Sequence, residues 1–264
     1  MTDLQILKEE AARLAVGLFK DDSGKRGKYT DWLLSVYNEA KSKDFLLIHN
    51  PGGWGTTNLE NLLVWERSIV EGVSATIEKL GYSRHLMQYF RTNGGKREIW
   101  GDVREQAKFF ENKAKILAAG LDFLSRHHDR LTIIMIGVSQ GAAFTNAVTQ
   151  QLKHSGRVYD IELGLPFPYK SKRVVTERTL ALDSNGLMPD ALMEWDVSTI
   201  LKTYLTAPFR WLKHRFKREN VKFTYCINVP GHDYNWDYPE VQRQVEDFLT
   251  SSFGNNNKAE VEAK

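Results

Sequence analysis

The sequence predicts an α/β fold, a doubly wound and mostly parallel sheet with helices on both faces, from three observations. From Asp44 to about residue 253, short apolar runs alternate with longer amphipathic ones. Ten or more residues of helical pattern separate most of these runs, the length a parallel crossover needs and far more than a hairpin uses. The runs at 44–49 (DFLLIH) and 131–136 (LTIIMI) are short and mostly apolar, and parallel strands in such an alternating series are covered on both faces.

Taken in order, residues 3–19 place Leu4, Leu7, Ala11, Leu14, Ala15 and Leu18 on one helical face, and 30–42 read as a second helix. The polar stretch KDDSGKRGK reads as the link between them. Strands follow at 44–49, 84–90, 131–136, 158–163, 178–182 and 222–228. A helix over 59–80 carries Leu59, Leu62, Leu63, Ile69, Val70, Val73, Ile77 and Leu80 on one face, with Gly81 as its C-terminal cap. Another covers about 103–127 with Asp102 as N-cap, and the last begins near Pro239 and buries Val241, Val245, Phe248 and Leu249. The link 164–177 is a poor helix. The chain thus divides into a helical extension at 1–43 packed on the core, an α/β domain at 44–253, and a tail at 254–264 whose composition reads as disordered.

Composition narrows the class of protein. A net charge of +3 is too small to argue for nucleic acid, and no apolar run approaches the roughly 18 residues that span a bilayer. Acids stand in the first segment where a secretory apolar core would lie, and the single cysteine, Cys226, has no partner for an intramolecular disulfide. Both suit the cytoplasm. No zinc-type Cys/His spacing is present, so no metal site is expected.

The stretch TIIMIGVSQGAAFTNAV places Ser139 between Gly137 and Gly141 where a strand gives way to a helix. So short a connection holds its central residue in a strained conformation and projects the side chain from the rim of the sheet. The glycines allow strand and helix to approach, and the N–H of Gln140 points to where an oxyanion would form.

On this elbow and on His232 the chain resembles the α/β-hydrolase superfamily, and GVSQGAA is similar to the elbows of cutinase-like and carboxylesterase-like members. By order of elements the resemblance covers about 44–253. It implies a serine nucleophile followed in the chain by an acid and a histidine, with no metal or organic cofactor. Two N-terminal helices stand where many members have additional antiparallel strands, so a reduced sheet is expected.

His232, in NVPGHDYNW between the final strand and the final helix, stands where hydrolase-like proteins carry their base. His49 ends the first core strand and better fits a structural role in its loop. For the acid, Asp183 closes the strand 178–182 and is preferred, with Asp190 in reserve. Hydrolase-like acids often stand in a D-x-x-x-P pattern, and counting back from Pro189 lands on Asn185, which carries no charge. The loop His49-Asn50-Pro51-Gly52-Gly53-Trp54-Gly55 is similar to the HGGG loops of esterases, and Gly53 or Trp54 is the second oxyanion donor because Pro51 has no N–H.

Trp54, Trp100, Trp195 and Trp236 fall in or near rim segments; Trp54, Trp100 and Trp236 are the candidate substrate-binding residues, giving apolar walls for an acyl chain or a ring. The run 201–218 sets Leu201, Leu205, Phe209, Leu212 and Phe216 beside six basic residues, with Pro208 expected to kink or divide it. Such a run suits a weak contact with an anionic membrane surface, although it is more often a helix packed on a sheet with its basic face in water. The expected activity is hydrolysis of an ester or thioester of a moderately apolar acyl group by way of an acyl-enzyme. A binding protein on the same fold, and an acyltransferase or peptidase with the same nucleophile, are the alternatives.

Overall fold

The computed structural model describes residues 3–92, 95–219, 221 and 223–254. Its elements in chain order are α1 (Asp3–Phe19), α2 (Ser23–Ala40), β1 (Phe45–Asn50), α3 (Val64–Lys79), β2 (Arg84–Gln88), α4 (Lys96–Ala107), α5 (Glu111–His127), β3 (Thr132–Val138), α6 (Gln140–Gln151), β4 (Val158–Leu163), β5 (Thr179–Leu182), α7 (Val197–Phe216) and α8 (Pro239–Phe253). The five strands form one sheet in the order β2-β1-β3-β4-β5, and every neighbouring pair is parallel.

Period-two alternation along the central strands explains how both faces are filled. Leu46 and Ile48 of β1 and Ile133 and Met135 of β3 face a core completed by α1, α2, α5 and α6. Their neighbours Phe45, Leu47, Ile134 and Ile136 face α3 and α8. The N-terminal helices are part of the first core: Leu7, Ala11, Ala15, Leu33, Val36 and Ala40 are all buried in it. Burying side chains of that size contributes about 1.5–3 kcal/mol for each large one, so both faces hold the sheet firmly.

Five expectations are corrected. The stretch read as a polar link is mostly the first turn and a half of α2, because Asp22 caps it by accepting from Lys25 N at 2.9 Å. The helix expected at 103–127 is two helices. Phe109 and Phe110 break it at φ 55° and 58°, and both rings are buried, Phe110 against Phe144 with centroids 5.6 Å apart. Asp102 is therefore no cap; it lies inside α4, buried, and takes Lys113 Nζ at 2.6 Å.

The run 222–228 forms no strand among its described residues but a short 3₁₀ helix, Phe223–Cys226, against α7. So short an apolar run carries no period that separates strand from helix, and packing decides. Finally, Pro208 does not divide α7, which runs unbroken from Val197 to Phe216. Gly81 does close α3, at φ 91°, with its N–H on Glu78 O and that of Tyr82 on Ile77 O. Among the described residues no helix is long and apolar enough to cross a membrane.

Candidate active site

Parallel pairing brings the carboxyl ends of β1, β3, β4 and β5 to one rim, and the chemistry-bearing residues collect there. Ser139 sits between β3 and α6 with φ 53° and ψ −120°, a conformation that a side chain adopts only at a cost of about 1–3 kcal/mol. Its surroundings hold it there. Ser139 N donates to Leu163 O at 2.8 Å, and its carbonyl accepts from Ala143 N at 3.2 Å. A Cβ at Gly137 would stand 2.6 Å from Gly141 O, and one at Gly141 would stand 2.1 Å from Asn50 O. Strand, helix and the β1 loop therefore meet at a distance that only glycine allows.

His232 follows Gly231, which has φ 77°, and its ring lies over Gly164, where a Cβ would be 2.7 Å from Cε1. Gly164 adjoins the residue that holds Ser139 N, so His232 and Ser139 share the end of β4. The imidazole Nδ1 is 2.7 Å from Asp190 Oδ2, and Asp190 is fully buried. Tyr234 Oη donates to the same oxygen at 2.7 Å, while Leu192 N and Met193 N donate to Oδ1 at 2.9 and 3.3 Å. Burial, with the neighbouring Asp190 carboxylate, pushes the Tyr234 phenol far up, so it stays a donor. A carboxylate supplied with four donors remains an acceptor and fixes Nδ1 as the protonated nitrogen, leaving Nε2 as the basic one.

Asp183 is not the partner of His232, and the preference for it is corrected. Its carboxylate is half exposed and binds Arg173 Nη1 at 2.6 Å; Arg173 in turn holds the buried Glu162. The chain after β5 makes one more turn, closed by an antiparallel bridge between Ser184 and Pro189, before it delivers the acid. Asn185 is buried and ties that turn to the histidine loop: its Nδ2 donates to Asp233 O at 3.1 Å and Asp233 Oδ1 at 3.0 Å, and its Oδ1 accepts from Leu187 N and Met188 N. The uncharged residue at the proline-counted position is thus a clamp beside the acid.

The β1 loop approaches Ser139 through Gly52, where a Cβ would stand 3.6 Å from Ser139 Cβ. Gly52 N is directed to Glu66 Oε1 at 3.4 Å, whereas Gly53 N donates to the side-chain oxygen of Gln140 at 3.2 Å. That same Oε1 accepts from Ser139 Oγ at 3.0 Å, so the serine hydroxyl bonds to Gln140 and not to His232. Trp54 gives its carbonyl to Thr92 Oγ1 and leaves its ring exposed. Trp100 lies on α4 and is also exposed, and Trp195 stacks on Phe167 at 5.3 Å. Trp236 packs on α3, where a Cβ at Gly72 would meet its ring at 2.1 Å, which makes it a packing residue.

Buried side chains support the β1 loop, and His49 has the structural role expected of it. His49 is fully buried, with Nε2 3.1 Å from Glu66 Oε1 and Nδ1 3.0 Å from Gln88 Nε2, so Gln88 donates to Nδ1 and Nε2–H donates to Glu66. Arg91, buried, donates to Pro51 O at 2.7 Å and to Gly53 O, and burial pulls its pKa down to about 10. Only the position of Arg91 just past a strand end could have singled it out. Among the described residues no group of His, Cys, Asp and Glu is arranged to hold a metal ion. A cavity of about 490 Å³ lies elsewhere, between α5 and the end of α6, lined by Lys115, Asp122, His154 and Arg157.

No protein-family model matches the sequence, and no curated protein sequence matches it. Among solved structures, Trichoderma reesei cutinase in complex with a C11Y4 phosphonate inhibitor is similar in backbone, with 13% identity over 94% of this chain and 93% of that one and a TM-score of 0.45. The fold of the chain is α/β, a five-stranded all-parallel sheet with helices on both faces.

Proposed function

We propose that the chain is an α/β-hydrolase-type serine hydrolase that cleaves a carboxylic ester or thioester through an acyl-enzyme. The observation that carries this reading is the buried Asp190 carboxylate 2.7 Å from His232 Nδ1, at the rim where Ser139 is held at positive φ. A serine hydroxyl is a weak nucleophile until a base takes its proton, and this pair supplies an oriented base.

Ser139 Oγ attacks the carbonyl carbon while its proton passes to His232 Nε2, and the imidazolium so formed is stabilised by Asp190. The carbonyl oxygen becomes the oxyanion and takes the N–H groups of Gln140 and Gly53, the place Gln140 Oε1 now fills. The tetrahedral centre collapses, the bond to the leaving alcohol or thiol breaks, and His232 returns the proton to that group. Water then adds to the acyl-enzyme with His232 again as base, and the acid product leaves. Before attack, the Gln140 side chain must swing away so that the hydroxyl turns to His232.

That resting contact is also what favours a second reading, a binding protein without turnover, since it keeps the serine from its base. Labelling with a fluorophosphonate, read by intact mass, separates the two. Hydrolysis predicts one adduct on the wild type, none on Ser139→Ala, and strongly slowed labelling for His232→Ala. A folded wild type that stays unlabelled excludes the hydrolase and leaves the binding role.

A further inference from the structure

The helix α7 is built backwards for a helix packed on a sheet. Its docked side is narrow and small, with Thr203 and Ala207 the buried residues. Leu201, Leu205, Phe209, Leu212 and Phe216 recur at spacings of three and four, which gathers them within about 80° of arc. All five face water, and Leu205, Phe209 and Phe216 are 69%, 74% and 80% exposed. The expectation that this run packs on the sheet is therefore overturned.

Charge decides what covers the stripe. At helical spacing Lys202 and Lys213 border it on one side and Arg215 on the other, and Val197–Phe216 contains no acid. A second copy laid on this face would set like charges against one another. An apolar layer under a sheet of negative headgroups matches both features, with the rings and leucines entering the acyl boundary and the cations at the headgroups.

We infer that α7 docks the protein on the surface of an anionic lipid bilayer, its exposed leucines and phenylalanines inserted and its flanking cations on the headgroups. The placement adds a consequence for the site. Asp190 precedes α7 and His232 follows it, and Ala191 N donates to Pro230 O at 3.1 Å, which pins the two ends of the excursion together beside the acid and base. A membrane contact through α7 therefore acts on the segment that joins Asp190 to His232. The inference does not depend on the hydrolase reading.

Co-sedimentation with phosphatidylcholine vesicles, plain or with about a third phosphatidylserine, tests it on the full chain. The wild type is expected to bind the anionic vesicles at least about tenfold better than the plain ones, and less at high salt. The pairs Leu205→Glu with Phe209→Glu, and Lys202→Glu with Lys213→Glu, are each expected to lower that binding by about tenfold or more. Melting curves verify folding; the substituted side chains are all exposed. The inference is overturned if the wild type stays in the supernatant with anionic vesicles, if it binds both vesicles equally, or if neither pair weakens binding. It is also overturned if sizing shows a dimer that Leu205→Glu with Phe209→Glu converts to monomer, which assigns the stripe to a second copy.

Discussion

The two halves of the rim are held by different physics. On the first half, the elbow at Ser139 and the loop after β1 are fixed by backbone pressed on backbone, with Gly137, Gly141 and Asn50 at distances that exclude a Cβ. On the second half, Asp190 and His232 ride on irregular chain, and side-chain and turn contacts align them: Asn185 on Asp233, Ala191 on Pro230, Tyr234 on Asp190. Contacts of the first kind admit only glycine, even where they join distant residues as Gly141 and Asn50 do, and so leave a mark in the sequence. Contacts of the second kind join residues some forty positions apart, and any of several polar residues can make them.

The sharpest test of the comparison is the acid itself. Asp190→Asn keeps the shape of the site but removes the charge and the tautomer control, and labelling or turnover is expected to fall by about 10⁴-fold. Asp183→Asn, which loses only the pair with Arg173, is expected to stay within about threefold of wild type. Reversed magnitudes would return the acid to Asp183 and refute the arrangement described.

Two glycine substitutions compare the halves directly. In Gly141→Ala the new Cβ meets the Asn50 carbonyl at 2.1 Å, backbone that has nowhere to go, and a stability loss of about 3 kcal/mol or more is expected in denaturant unfolding. Gly231→Ala meets Pro189 O at the same 2.1 Å and sits at φ 77°, but in loops that can separate. There the expectation is a smaller stability loss with activity down about 100-fold, as the base leaves its place. Equal unfolding losses would mean that the acid–base loops belong to the cooperative core.

What the sequence shows follows the same division. The short apolar runs mark the central strands, and G-x-S-x-G at the junction of strand and helix marks Ser139, because a sheet covered on both faces selects apolar side chains and the close approaches at the elbow select glycine. His232 is legible from its place after the last apolar run. The acid is not, since Asp183 and Asp190 are chemically alike and only the bridge from Ser184 to Pro189 decides which one reaches His232. Asp102 misleads for a related reason: its type suits a cap, and a salt bridge to Lys113 buries it in mid-helix instead. The stripe of α7 has the pattern of a packed face, and nothing in the pattern says whether the protein itself covers it.

Strain at the elbow gives a smaller effect with the opposite sign. Ser139→Gly relieves the positive φ, and Ser139→Ala does not, while both remove the hydroxyl. Glycine is expected to be about 1 kcal/mol more stable than alanine at this position, after its own entropy cost in the unfolded chain is allowed for. Equal stabilities would show that the elbow conformation is not stored strain.

The joint between the two halves carries the smallest expected effect. Asp160 and Glu162 of β4 are buried; Glu162 takes Asn146 Nδ2 at 2.5 Å and Arg173, which reaches on to Asp183. Burial and the charge of Glu162 push the Asp160 carboxyl well up, and burial raises Glu162 as well, although Arg173 opposes it. A carboxyl raised on folding binds more protons in the native chain than in the unfolded one. Its stabilising contribution is therefore full below the ordinary carboxylate pKa of about 4 and is lost as pH rises toward the raised value. Asp160→Asn removes this slope, so relative to wild type the variant should gain stability as pH rises from 4 to 7 in urea unfolding. If the wild type instead gains on the variant over that range, Asp160 is ionised in the folded protein and Arg173 serves both carboxylates.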